Sequence, residues 1–102
     1  MNLKLNIYTI GEVERKVAEK GKRLRLEYEL TRKTLSERSG VSLASIKRFE
    51  TTGKVSFSSL LKIANALGNL DDFLKLFNHD TITTLVELEK LENKKKRKRG
   101  RL

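Results

Sequence analysis

From residue 9 onward, apolar positions recur at intervals of three and four, and each run is bounded by serine, threonine or glycine. That spacing places apolar side chains along one face of a helix and predicts a chain of short helices. Thr9-Ile10-Gly11-Glu12 fits a capping box, with Thr9 accepting from the backbone and Glu12 reaching back. Ile10, Val13, Val17, Leu24 and Tyr28 then give the first helix an apolar face, and charged residues fill the rest. Gly21 weakens that helix by about 1 kcal/mol relative to alanine without breaking it. A second helix starts after Thr31 as N-cap and runs to about Arg38, where Gly40 interrupts it. Ser42 caps a third helix that reaches Thr51 and stops at Thr52-Gly53. Ser56 or Ser58 caps a fourth, in which Leu60, Leu61, Ile63, Ala64 and Leu67 form a broad apolar face before Gly68.

The two ends read differently. Leu3, Leu5 and Ile7 alternate with Lys4 and Asn6, which suits a short strand in an N-terminal arm, residues 1–9. Asp71 and Asp72 open a fifth helix, favoured by the positive end of its dipole, with Phe73, Leu74 and Phe77 expected on its buried side. Residues 79–93 form a C-terminal extension in which helix and strand compete. Leu85, Leu88 and Leu91 suit a helix, whereas Thr81 to Val86 is equally good strand material. The fold expectation is therefore an all-α domain over residues 10–78, flanked by an arm and an extension.

Composition narrows the chemistry. The chain has 102 residues, no cysteine, no proline and one histidine, His79. These exclude a disulfide framework, a thiolate nucleophile and a cysteine-based zinc site, and His79 alone makes no metal cluster. No apolar run approaches the length of a membrane span, and the N-terminus has no signal-peptide core, so a cytoplasmic protein is expected. Catalysis is not expected, because there is no phosphate loop and no convergent acid cluster. Asp71 and Asp72 are adjacent on a helix and point about 100° apart, so the helix dipole explains them better than an acid dyad. No metal and no cofactor are expected.

Charge then points to a partner. The formal net charge is +10, and it is unevenly placed. Residues 31–55 carry Arg32, Lys33, Arg38, Lys47, Arg48 and Lys54 against Glu37 and Glu50, while residues 56–93 are net negative. The final stretch, residues 94–102, holds Lys94, Lys95, Lys96, Arg97, Lys98, Arg99 and Arg101 with no acid. Such a run repels itself, buries nothing and is expected to be disordered when free. As a polyelectrolyte arm it would bind phosphates through counterion release. Neither a basic amphipathic helix nor a lipidation motif supports a membrane surface instead. RNA recognition lacks its usual aromatic sheet motifs, and no Tyr or Phe lies in the tail for stacking.

The informative segment is Leu24 to Gly68. Two short helices joined by a tight corner need a residue tolerant of positive φ, which Gly40 supplies. Their close crossing needs a small contact residue, which Ser36 supplies. Leu35, Val41, Ile46 and Phe49 stand five before and one, six and nine after the glycine, where they anchor both helices to one core. That burial leaves Leu43, Ala44, Lys47, Arg48 and Thr51 on the outer face of the third helix. Small apolar side chains at the front of such a helix can touch thymine methyls, and arginine can pair bidentately with guanine. Glu50 is expected to pair within the domain rather than to read bases.

These residues resemble the helix-turn-helix of the Cro and phage-repressor type, the xenobiotic-response-element (XRE) family of bacterial regulators. The likeness spans residues 13–77 and rests on linked features: Leu30-Thr31, Leu35-Ser36, Ser39-Gly40-Val41-Ser42, Ile46 with Arg48, Phe49-Glu50, and the helix from Leu60 through Ala64 to Gly68. It implies a five-helix, lambda-repressor-like domain whose third helix enters the major groove of double-stranded DNA. Leu43, Ala44, Lys47 and Arg48 would then be the base-contacting set, and Arg32, Ser42, Thr51 and Lys54 the phosphate-contacting set. Three positions depart from the family's usual residues: Arg32 stands for glutamine, Ser36 for alanine and Glu29 for glycine. The resemblance implies a transcriptional regulator, a homodimeric repressor on a palindromic operator, nucleoid-associated when bound. Its alternative is an autoregulatory antitoxin whose partner is a HipA-type toxin. The strand-like arm and Thr81–Leu91 are the two candidate dimer segments.

Overall fold

The computed structural model describes residues 7–78 and 92–94. Four α-helices follow one another: α1 (Ile10–Glu27), α2 (Arg32–Ser39), α3 (Leu43–Thr52) and α4 (Phe57–Ala66). A 3-10 helix, Leu70–Lys75, completes the series, and no strand occurs among the described residues. The described residues build an all-α domain, as the sequence predicts. The predicted strand at Leu3–Ile7, all of the extension but its last two residues, and the basic tail beyond Lys94 lie outside the described residues, except for Ile7 itself.

Each α-helix begins at the cap its sequence offers. Thr9 accepts from the Glu12 amide at 3.1 Å while Glu12 reaches back to the Thr9 amide at 3.4 Å, a complete capping box. Thr31, Ser42 and Ser56 accept from the amides of Thr34, Ser45 and Ser59 at 3.0, 3.1 and 3.1 Å. Each bond satisfies an amide that the first turn of a helix leaves without a partner. Gly40 ends α2 and Gly53 ends α3, at φ +77° and +80°.

The core is a single cluster of Ala18, Leu30, Leu35, Val41, Ile46, Phe49, Ile63 and Leu67. Leu35 and Ile46 are the most completely enclosed, and each contributes about 1.5–3 kcal/mol by leaving water. α3 packs on α1 and α2, and α2 also packs on α4, so the α2–α3 pair is held by α1 through one helix and by α4 through the other.

Two expectations are corrected. The apolar face of α1 is not its buried face. Ile10, Val13, Val17 and Tyr28 are exposed, and Leu24 is only half-buried. The enclosed positions are Ala18 and Arg25, with Gly21 between them at helical spacing. The cause is close approach to α3: a Cβ at Gly21 would lie 3.3 Å from Phe49 Cε2. Small residues therefore form the contact, and the larger apolar ones flank it.

The fifth element also differs. It is a 3-10 helix, and of its predicted buried side only Phe73 is partly covered, packing edge-on to Phe57 with ring centroids 6.3 Å apart. Leu74 is exposed, and Phe77 lies beyond the helix end at φ +62° with its side chain fully in solvent. Three residues per turn carry Leu74 off the face that Phe73 occupies.

Candidate nucleic-acid interface

The corner between α2 and α3 is built from backbone geometry and two serines. Gly40 takes the left-handed conformation, and nothing lies near where its Cβ would be, so the requirement is on φ alone. The Ser36 hydroxyl donates to the Val41 carbonyl at 2.6 Å, and Ser39 Oγ accepts from the Val41 amide at 3.1 Å. Ser36 is thus more than a small contact residue. Its hydroxyl fastens the corner, which the alanine usual in the family cannot do.

On α3, Ile46 and Phe49 face the core while Leu43, Ala44, Lys47 and Arg48 are exposed together, as the spacing predicts. The phosphate candidates are more varied. Ser42 Oγ is engaged in capping α3. Thr51 is exposed, with its hydroxyl donating to the Lys47 carbonyl at 2.8 Å. Lys54 Nζ meets both oxygens of Glu14 at 2.9 and 3.1 Å, a link from the end of α3 to α1. Gly53 sits beneath that link, where a Cβ would come within 2.8 Å of the Glu14 carbonyl carbon.

Arg32, at the first position of α2, belongs to a buried ionic cluster. Glu50 Oε2 accepts from Arg25 Nε at 2.7 Å, and Oε1 accepts from Arg25 Nη2 at 3.0 Å and Arg32 Nε at 2.8 Å. Arg25 Nη1 donates to the Leu30 carbonyl at 2.7 Å. The Glu50 side chain is only 2% exposed. Burial by itself would raise its pKa, but the hydrogen bonds and charges of Arg25 and Arg32 outweigh that and hold it below the usual carboxylate range. Glu50 pairs within the domain, as expected. Arg25 carries no mark of burial in its residue type; the one signal in the sequence is its place seven residues after Ala18, on the same helix face.

Because Glu50 is enclosed by arginines, α3 exposes Lys47 and Arg48 without any exposed acid on the same helix. Lys33 and Arg38 on α2 are also exposed, with Glu37 as the opposing charge. Among the described residues no group of acids, histidines or cysteines can hold a metal ion, and no helix is long and apolar enough to cross a membrane.

A tight glycine corner, two anchored helices and an exposed basic outer face on the second of them define a DNA-binding helix-turn-helix domain. The helix-turn-helix family model matches residues 22–73, just over half of the chain, and the protein belongs to that family, the Cro and phage-repressor type of the XRE regulators. The family is one of DNA-binding transcription regulators, not of enzymes. No curated protein matched the chain at significant similarity.

Proposed function

We propose that the protein is a sequence-specific repressor that binds a palindromic duplex operator as a homodimer and reads the major groove with α3. The observation that carries this reading is the exposed set Leu43, Ala44, Lys47 and Arg48 on a helix whose opposite side is locked into the core. Leu43 and Ala44 suit thymine methyls, Arg48 suits guanine O6 and N7, and Lys47 suits base or phosphate. Arg32, Ser42, Thr51 and Lys54 serve the backbone, with Lys54 exchanging Glu14 for a phosphate. One such module covers few base pairs, so two copies on half-sites about 34 Å apart supply the remaining specificity. Support for a second copy comes from an exposed apolar strip, in which Tyr8, Ile10, Val13, Val17 and Phe57 line a shallow groove beside α1.

Selection of bound sequences from a random duplex pool at about 150 mM salt, where non-specific binding is weakened, tests the reading. A recovered palindrome supports it. Binding that only fades with salt, without enrichment, defeats it. On the recovered site, Arg48→Ala is expected to cost about 1–3 kcal/mol while leaving random DNA nearly unaffected. An equal loss on both sequences would make Arg48 a phosphate contact.

A further inference from the structure

The Arg25–Glu50–Arg32 cluster does not balance its own charge. One carboxylate serves two guanidinium groups, so the cluster carries a net +1. Arg25 is committed, with Nε and Nη2 on Glu50 and Nη1 on the Leu30 carbonyl, and its side chain is 7% exposed. Arg32 is not. It gives Glu50 only its Nε, its side chain is 31% exposed, and its Nη1 and Nη2 have no hydrogen-bond partner among the described residues. A planar guanidinium fixed at Nε can turn only slightly, so the direction in which its Nη pair is offered is set by the carboxylate behind it.

We infer that Glu50 is a positioning residue for DNA binding. It holds Arg32 so that the two Nη groups receive one backbone phosphate, the anion that neutralises the cluster. This rests on the reading of duplex DNA as the ligand. Glu50 lies on α3 and Arg32 on α2, so the phosphate seat is tied to the helix that carries Arg48 two residues away along the chain. A backbone contact made at Arg32 therefore fixes the placement of the base-reading helix as well. Without Glu50 the Arg32 side chain must be ordered anew at each binding event, and the contact weakens.

The test measures binding of the full-length protein to a random-sequence duplex as a function of salt, because the slope of log K against log salt changes by about 0.9 for each phosphate contact. Arg32→Gln is expected to make the slope shallower by about 0.9 per bound chain. Glu50→Gln is expected to produce the same loss, and the double variant no further loss. Glu50→Asp, which keeps the charge but withdraws it by one methylene, provides a second variant should Glu50→Gln fail to fold, and is expected to lose part of the same slope. Circular dichroism on every variant separates a folding defect from a lost contact, since a purely structural role for Glu50 would lower stability and leave the slope of the folded protein unchanged. A wild-type slope in folded Glu50→Gln or Glu50→Asp, beside a reduced one in Arg32→Gln, overturns the inference. So does an unchanged slope in Arg32→Gln. Lys47→Ala in the same assay keeps the two readings apart: if it weakens binding while both Arg32 and Glu50 variants do not, the DNA interface stands and the clamp falls. Absence of duplex binding by the wild type removes both.

Discussion

At the scale of single residues, stability and acid response converge on Glu50. Its carboxyl is held below the usual range, so the folded state binds a proton less readily than the unfolded chain. The stabilisation is fully present above the unfolded value, about pH 4.3, and is lost as pH falls through the lower folded value. Removing one partner from a buried ionic cluster costs about 3–5 kcal/mol. Glu50→Gln is therefore expected to lose about 3 kcal/mol at pH 7, with the difference from wild type shrinking in urea titrations below about pH 4. A difference constant across that range would show that the carboxylate charge is not what stabilises the cluster. Glu29 offers the opposite case. It holds φ +57° just after α1, where the family usually has glycine. A side chain there costs about 1–2 kcal/mol, part of which glycine forfeits through its freer unfolded state. Glu29→Gly should raise stability by about 0.5–1 kcal/mol, seen as a higher urea midpoint with an unchanged slope. Gly40 was legible in the sequence because the residue type announces its conformation. Glu29 was marked only by the glycine that the family usually has there, because nothing in a glutamate itself betrays a left-handed backbone.

At the scale of elements, the caps carried most of what could be read. Thr9, Thr31, Ser42 and Ser56 each sit one residue before a helix and bond the amide three residues on. That local chemistry needs no knowledge of the rest of the fold, which is why these helix starts follow from sequence. The Ser42 cap fixes where α3, and with it the exposed Leu43–Ala44 end of its outer face, begins. Ser42→Ala should cost about 1 kcal/mol in stability, and thermal melts of the two proteins measure it. No loss would mean that the Ser42 bond to the Ser45 amide is replaced by water without penalty. Burial was harder to read. The large apolar residues of α1 form a convincing stripe, yet the contact with α3 runs along Ala18, Gly21 and Arg25. Hydrophobic spacing reports which residues could be buried; close helix approach selects small ones instead. The same limit applies to Leu74 and Phe77, whose apolar character promised a covered helix that the 3-10 geometry does not build.

At the scale of the whole molecule, positive charge is concentrated in two blocks, and the proposed DNA binding gives them different tasks. The block on α2 and α3 is shaped: Glu50 is enclosed, and Lys47 and Arg48 stand on one ordered face. The block at residues 94–102 is seven bases without an acid, legible from composition alone, and lysine and arginine in such a run meet phosphates, which are the same at every base pair. Specificity and affinity should therefore separate on deletion. Phosphates neutralised by the tail add to the salt dependence at about 0.9 each, so loss of residues 94–102 should make the slope of log K against log salt shallower by as much as about 6 per chain. Specific and random duplexes should weaken nearly alike, leaving their affinity ratio close to that of the full chain, because backbone contacts position a protein without reading sequence. Salt titrations of both duplexes with the full and shortened chains measure the two quantities together. An unchanged slope would remove the tail from the DNA surface and leave the ordered face of α2 and α3 to supply the whole electrostatic attraction. A collapsed affinity ratio would instead mean that the tail fixes the orientation of α3 in the groove.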